Sequence, residues 1–177
     1  MSKKRILIVV DMQNDFISGS LGSDMAKDIV SNVADKISKY DRQEDLVICT
    51  QDTHYDDYLS THEGKFLPVS HCIEGTSGWD IAEEIEDALP LNAVFIEKSA
   101  FGSLPLVNTL LENADETTVF ELVGLCTDIC VVANAIIVRT AFSENDVVVD
   151  SSCCAGTSEE NHEAALKTMR SCHIKVI

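Results

Sequence analysis

Glu121-Leu122-Val123-Gly124-Leu125-Cys126-Thr127-Asp128-Ile129-Cys130 is the stretch on which the fold turns. An apolar run over residues 119–125 stops at two cysteines spaced four apart, and an Ala-rich apolar segment follows. That layout predicts strand, tight turn and helix, with Cys130 near the helix start. A thiol there is a candidate nucleophile, because a helix N-terminus favours the thiolate. A buried cysteine acting as a small hydrophobe fits the same letters.

The pattern repeats on both sides of this stretch. The continuous β-branched run at 5–10 reads as a strand buried on both faces, 45–50 as a second buried strand, and 92–96, 118–123, 146–149 and 173–177 as four more strands. Between them, amphipathic segments predict helices at 24–40, 80–89, 105–113, 130–142 and 158–170. Ser23 or Asp24 is placed to cap the first of these and Ser158 the last. Strands alternating with helices predict a three-layer α/β/α fold: a doubly wound, six-stranded, mainly parallel sheet. The 177 residues are expected to form a single domain over 1–177, interrupted by a long polar segment at 55–79.

Thirteen Lys and Arg against 30 Asp and Glu give a net charge of −17, which argues against nucleic acid and anionic membrane surfaces as partners. The seven cysteines are not spaced as a disulfide framework, and the apolar run at 6–10 is too short for a secretion signal. A cytoplasmic protein with reduced thiols is expected, Cys153 and Cys154 included.

Parallel sheets bind ligands beyond the carboxyl ends of their strands. Four predicted strands end in reactive side chains: Asp11 after the first, Asp52 and His54 after the second, Lys98 after the third, Cys126 and Cys130 after the fourth. Two chemistries separate. In the first, Asp11 is placed to take a proton from the Cys130 thiol, Lys98 to hold Asp11 ionised, and the backbone N–H groups of the 126–130 turn to receive an oxyanion. A buried ion pair beside a core cysteine is the simpler alternative. In the second, Asp52, His54 and His71, with Glu63 or His62 between them, offer a nitrogen and oxygen set suited to zinc, iron or manganese. Phe16 and Trp79 are aromatic candidates for a ligand pocket. His162 reads as a surface helix residue and His173 as the start of the last strand.

Taken together, Asp11-Met-Gln-Asn-Asp-Phe16, Asp52-Thr-His54, Pro68-Val-Ser-His71, Glu97-Lys98-Ser-Ala-Phe101 and Gly124-Leu-Cys-Thr-Asp-Ile-Cys130 resemble the isochorismatase-like cysteine hydrolases, and within them the nicotinamidases. The resemblance implies a catalytic triad of Asp11, Lys98 and Cys130. It implies a cis peptide before Cys126, and an oxyanion hole from the Cys126 and Cys130 N–H groups. It implies one divalent metal, zinc first with iron or manganese as alternatives, on Asp52, His54, His71 and Glu63, His62 competing for the last place. Phe16 and Phe101 would wall the substrate ring. The implied reaction is hydrolysis of nicotinamide to nicotinate and ammonia through a Cys130 thioester, in a homo-oligomer. A relative acting on another small amide or N-carbamoyl compound, and a non-catalytic metal or redox sensor, are the competing expectations.

Overall fold

The computed structural model describes residues 3–40 and 44–177. Six strands form one sheet: β1 (Arg5–Val10), β2 (Leu46–Asp52), β3 (Val94–Lys98), β4 (Val119–Leu125), β5 (Asp146–Ala155) and β6 (Lys175–Val176). Their order is β3-β2-β1-β4-β5-β6, and every ladder is parallel. The chain moves outward from β1 in one direction and then from β4 in the other. The switch point therefore lies between β1 and β4, where open sheets of this kind form their ligand crevice.

Both faces of the central strands β1, β2 and β4 are covered, which explains their long apolar runs, whereas the edge strand β3 exposes Phe95 and Glu97 and β6 exposes Lys175. Ile6, Ile8, Val10, Phe120 and Leu122 face one helical layer, while Leu7, Val9, Val47 and Val123 face the other. Burying each of these side chains contributes roughly 1.5–3 kcal/mol. The helices are α1 (Asn14–Ile17), α2 (Asp24–Asp28), α3 (Val30–Ser38), α4 (His62–Phe66), α5 (Glu83–Ala88), α6 (Leu104–Asn113), α7 (Val132–Ala141) and α8 (Glu159–Ser171). Ser23 and Ser158 cap α2 and α8 as the sequence predicts, each Oγ accepting the N–H three residues on at 3.1 Å. Among the described residues no helix is long and apolar enough to cross a membrane.

Several boundaries differ from the sequence expectation. The helix expected over 24–40 is broken at Ile29 into α2 and α3. The one expected from residue 80 starts at Glu83, because Ile81 bridges to Gln13 and the Ala82 N–H donates to the Met12 carbonyl. Strands β2, β3, β4 and β5 run on to Asp52, Lys98, Leu125 and Ala155, so the polar residues read as loop starts are still paired in the sheet. Cys153 and Cys154 lie within β5 as free thiols. The last strand is shorter than expected, since His173 sits in a turn at φ 60°. The 55–79 segment holds a 3-10 turn at Tyr58–Ser60 and α4, whose cap is Thr61.

Candidate active site

Three of the sequence-predicted residues meet at the crevice between β1 and β4. Asp11 leaves β1 in the left-handed region at φ 49°, a conformation aspartate tolerates better than most residues. This turns its carboxylate under the sheet edge, where it is fully buried. Its Oδ1 accepts the Thr50 hydroxyl at 2.7 Å, and its Oδ2 lies 2.7 Å from Lys98 Nζ. Beyond that ion pair, Oδ2 has no hydrogen-bond partner among the described residues. Lys98, the last residue of β3, also reaches Cys130 Sγ at 3.5 Å. Gly124 allows the close approach of the two strands. It sits at φ 116°, and a Cβ there would fall 2.1 Å from the Val10 carbonyl oxygen.

Electrostatics give each group a distinct state. Burial opposes the charge on Lys98, but Asp11, Cys130 and Asp52 around it hold its ammonium well above the ordinary lysine value. Burial pushes the Asp11 carboxyl up, with Lys98 pulling it back. Burial, then the charge of Asp11, pushes the Cys130 thiol well up, against Lys98. Both shifts run in the direction that favours the protonated thiol and raises the affinity of the neighbouring carboxylate for a proton.

The Leu125–Cys126 peptide is cis, as the family resemblance implies. Cys130 does not open an α-helix. It sits in a single π turn, Thr127–Val131, in which the Cys126 carbonyl accepts the Val131 N–H at 3.0 Å; α7 follows. Such turns recur at functional sites. The turn is pinned from the β5–α8 side. Asp128 accepts both the N–H and the hydroxyl of Thr157, at 2.8 and 2.6 Å. The Thr127 hydroxyl meets His162 Nδ1 at 2.8 Å. His162 is thus buried against the Thr127–Val131 turn, not on the surface where the helix pattern places it.

Next to this group is a second. Asp52 Oδ2 lies 3.1 Å from His54 Nε2 and 3.5 Å from His71 Nε2, and Glu63 Oε1 lies 3.7 and 3.6 Å from the same two nitrogens. The four ligand atoms fall within 4.8 Å of one another. His62 points elsewhere, exposed and stacked on Phe66, so Glu63 completes the set. Cys72 is buried outside it. The Val69 carbonyl lies 2.8 Å from His71 Nδ1, which fixes that ring with Nε2 facing inward. Burial works to raise the Asp52 carboxyl, but His54, His71 and Lys98 outweigh it and hold the group well below the usual carboxylate range. Two inward imidazoles and two carboxylates, mostly buried and converging on one point, fit a divalent metal such as zinc, iron or manganese.

Both groups face one cavity of ≈ 370 Å³, whose lining includes Phe16, Phe101, Asp52, Glu63, His71 and Cys130. The two phenylalanines expected at a ring site are therefore both on its wall. Trp79 lies outside, its Nε1–H donating to Thr53. Volume and lining suit a small aromatic ligand held by a few polar groups.

Two buried amides complete the frame and carry no signal of their own in the sequence pattern. Gln13 is fully buried, and its amide pairs with both the N–H (2.7 Å) and the carbonyl (2.9 Å) of Asp52. Asn134, one turn beyond Cys130, bonds the Cys130 carbonyl at 2.8 Å. Asp15 adds a third support, accepting the N–H of Cys72 beside His71 at 2.8 Å. The Asp11–Phe16 segment thus serves both groups.

The isochorismatase-domain model matches residues 5–177. This chain belongs to the isochorismatase family. Within that family it is 31% identical over 193 residues to a nicotinamidase/pyrazinamidase of Mycobacterium tuberculosis, covering 98% of each chain. It is 28% identical over 212 residues to a nicotinamidase of Schizosaccharomyces pombe, covering all of this chain and 94% of the yeast protein. Among solved structures, a Pyrococcus horikoshii pyrazinamidase in complex with zinc superposes with a TM-score of 0.84 at 28% identity, covering 98% of each.

Proposed function

We propose that this isochorismatase-family protein hydrolyses nicotinamide to nicotinate and ammonia, with Cys130 as nucleophile. The observation that carries the reading is the Asp11–Lys98–Cys130 contact, 2.7 and 3.5 Å, opening into the same aromatic-walled cavity as the four-ligand cluster. The nicotinamidase relatives and the zinc-containing neighbour support the substrate class and the metal.

In this mechanism Phe16 and Phe101 flank the ring and exclude water from it. Asp11 takes the proton from Cys130 Sγ, and Lys98 stays cationic throughout, steadying first the carboxylate and then the thiolate. The sulfur adds to the carboxamide carbon, and the backbone N–H groups of Cys126 and Cys130 receive the oxyanion. As the C–N bond breaks, Asp11 returns its proton to the departing ammonia, leaving a thioester on Cys130. Asp11 then takes a proton from water as its oxygen adds to the thioester carbon. The C–S bond breaks, nicotinate leaves, and the thiol regains its proton. Asp52, His54, Glu63 and His71 would hold one divalent metal, zinc first with iron or manganese as alternatives, which supplies a Lewis-acid anchor for the pyridine nitrogen. The free thiols of the described residues support work in a reducing cytoplasm, where the protein would act as a homo-oligomer.

Nicotinate formation from nicotinamide by metal-replete protein tests this. Wild type should turn over, and Cys130→Ala and Asp11→Asn should not. A wild type inactive on nicotinamide but active on another small amide would reject the substrate and keep the mechanism.

A further inference from the structure

Asn134 is fully buried inside α7, and its whole amide is committed to backbone groups. Nδ2 donates to the Cys130 carbonyl at 2.8 Å and to the Phe101 carbonyl at 3.0 Å, and Oδ1 accepts the Ser103 N–H at 2.9 Å. Asparagine is a poor helix-interior residue, because its amide competes for backbone groups. Here that competition is satisfied by two other segments of the molecule. One is the nucleophile turn. The other is the 99–103 stretch, which runs from Lys98 at the end of β3 to the start of α6.

At the far end of that stretch Ser103 is buried and caps α6, its Oγ accepting the Leu106 N–H at 3.1 Å, and Phe101 stands between this anchor and β3. The Phe101 side chain walls the cavity, yet the residue is 49% exposed. Gly102 lies so close to α7 that a Cβ would come 2.4 Å from Ile137 Cδ1. The ring wall therefore rides on a backbone held against α7, and Asn134 ties it there through the Phe101 carbonyl and the Ser103 N–H, the two groups that bracket Gly102. Through the same Nδ2 the wall is referenced to the residue that attacks.

We propose that Asn134 is a positioning residue that sets the Phe101 wall against Cys130, and so governs how a ring-bearing amide is presented to the thiol. This rests on the amidase reading above. The role belongs to ring placement and not to thiol activation, since the hydrogen bonds of Asn134 go to backbone groups and none reaches Sγ, Lys98 or Asp11 among the described residues. Its loss should raise KM for an aromatic amide more than it lowers kcat. It should leave the reaction of Cys130 with a small ringless electrophile nearly untouched.

The test uses metal-replete wild type, Asn134→Ser, Asn134→Ala, Phe101→Ala and the Asn134→Ser/Phe101→Ala double variant. Asn134→Ala removes the same bonds with an uncharged side chain of high helix propensity, so it serves where Asn134→Ser folds poorly; thermal midpoints report folding. Two rates are read: kcat/KM for nicotinamide, and iodoacetamide alkylation at Cys130 followed by mass spectrometry. Leaving buried backbone groups unpaired corresponds to roughly a 10- to 100-fold fall in kcat/KM, mostly in KM. Alkylation should change by less than about 3-fold, below what a single lost hydrogen bond supplies. The double variant should lose no more than the worse single variant, because the wall Asn134 places is already gone. Additive losses, or alkylation falling in step with turnover, would overturn the role while leaving the amidase reading intact. Wild type without turnover of nicotinamide would overturn both.

Discussion

Asp52 joins the two halves of the site: its Oδ1 accepts from Lys98 Nζ at 3.2 Å while its Oδ2 faces the Nε2 atoms of His54 and His71. One carboxylate is shared between the metal-type cluster and the cation that steadies the thiol. Gln13 clamps its backbone, pairing with both the N–H and the carbonyl of Asp52, and so fixes where the side chain starts. The charge of Asp52 acts on Cys130 in the direction that disfavours the thiolate. A divalent cation drawing on that charge leaves Lys98 freer to stabilise sulfur.

Metal removal should therefore slow the thiol as well as the amidase. Alkylation of Cys130 by iodoacetamide is expected to run several-fold slower in chelator-treated protein than in the zinc-loaded form, about 1 kcal/mol of screened electrostatics. Equal rates would show that the shared carboxylate does not transmit occupancy.

The fourth ligand is decided by which side chain at 62 or 63 points inward. Glu63→Gln should weaken zinc binding by about 10-fold or more, because an anionic oxygen is replaced by a neutral one. His62→Ala should leave it unchanged, since that ring stacks on Phe66 in the open. Competition against a chromogenic chelator reads both. A reversed order would move the ligand to His62.

Away from the site, Lys36 on α3 bridges Glu121 of β4 at 2.6 Å and Asp150 of β5 at 2.7 Å, and Tyr40 adds a bond to Glu121 at 2.5 Å. Burial works to raise the Asp150 carboxyl, but Lys36 and Ser152 hold it below the ordinary value. A depressed carboxyl contributes stability above its unfolded pKa, and loses it as pH falls through the folded one. Lys36→Met should lower the thermal midpoint at neutral pH by roughly 4–8 °C, corresponding to about 2 kcal/mol for a chain of this size. The gap to wild type should close as pH is lowered through the carboxylate range. A gap that holds or widens in acid would assign the loss to packing of the lysine stem.

Much of this arrangement is legible in the letters because the central strands are buried on both faces. Arg5–Val10 and Val119–Leu125 leave little room for another reading, and parallel pairing then brings Asp11, Lys98 and Cys130 to one edge. The strand ends are harder. Asp52 and Lys98 look like loop residues by polarity, yet they stay in the ladder because each supplies the other's partner. Gln13, Asn134 and His162 are illegible for a related reason. A buried amide or imidazole carries the same letter as an exposed one, and only the polar groups around it, backbone for Gln13 and Asn134 and the Thr127 hydroxyl for His162, tell them apart. The break at Ile29 has no breaker residue to announce it, as neither glycine nor proline stands there.

Cys130 as the amidase nucleophile is the claim on which the rest depends. The most direct measurement is mass spectrometry of the metal-replete protein quenched in acid during turnover of nicotinamide. A nicotinoyl thioester on the Cys130 peptide is expected in wild type and absent in Cys130→Ala, with ammonia release lost in the variant. Ammonia release that persists in Cys130→Ala, or an acyl group on Cys126 instead, would contradict it.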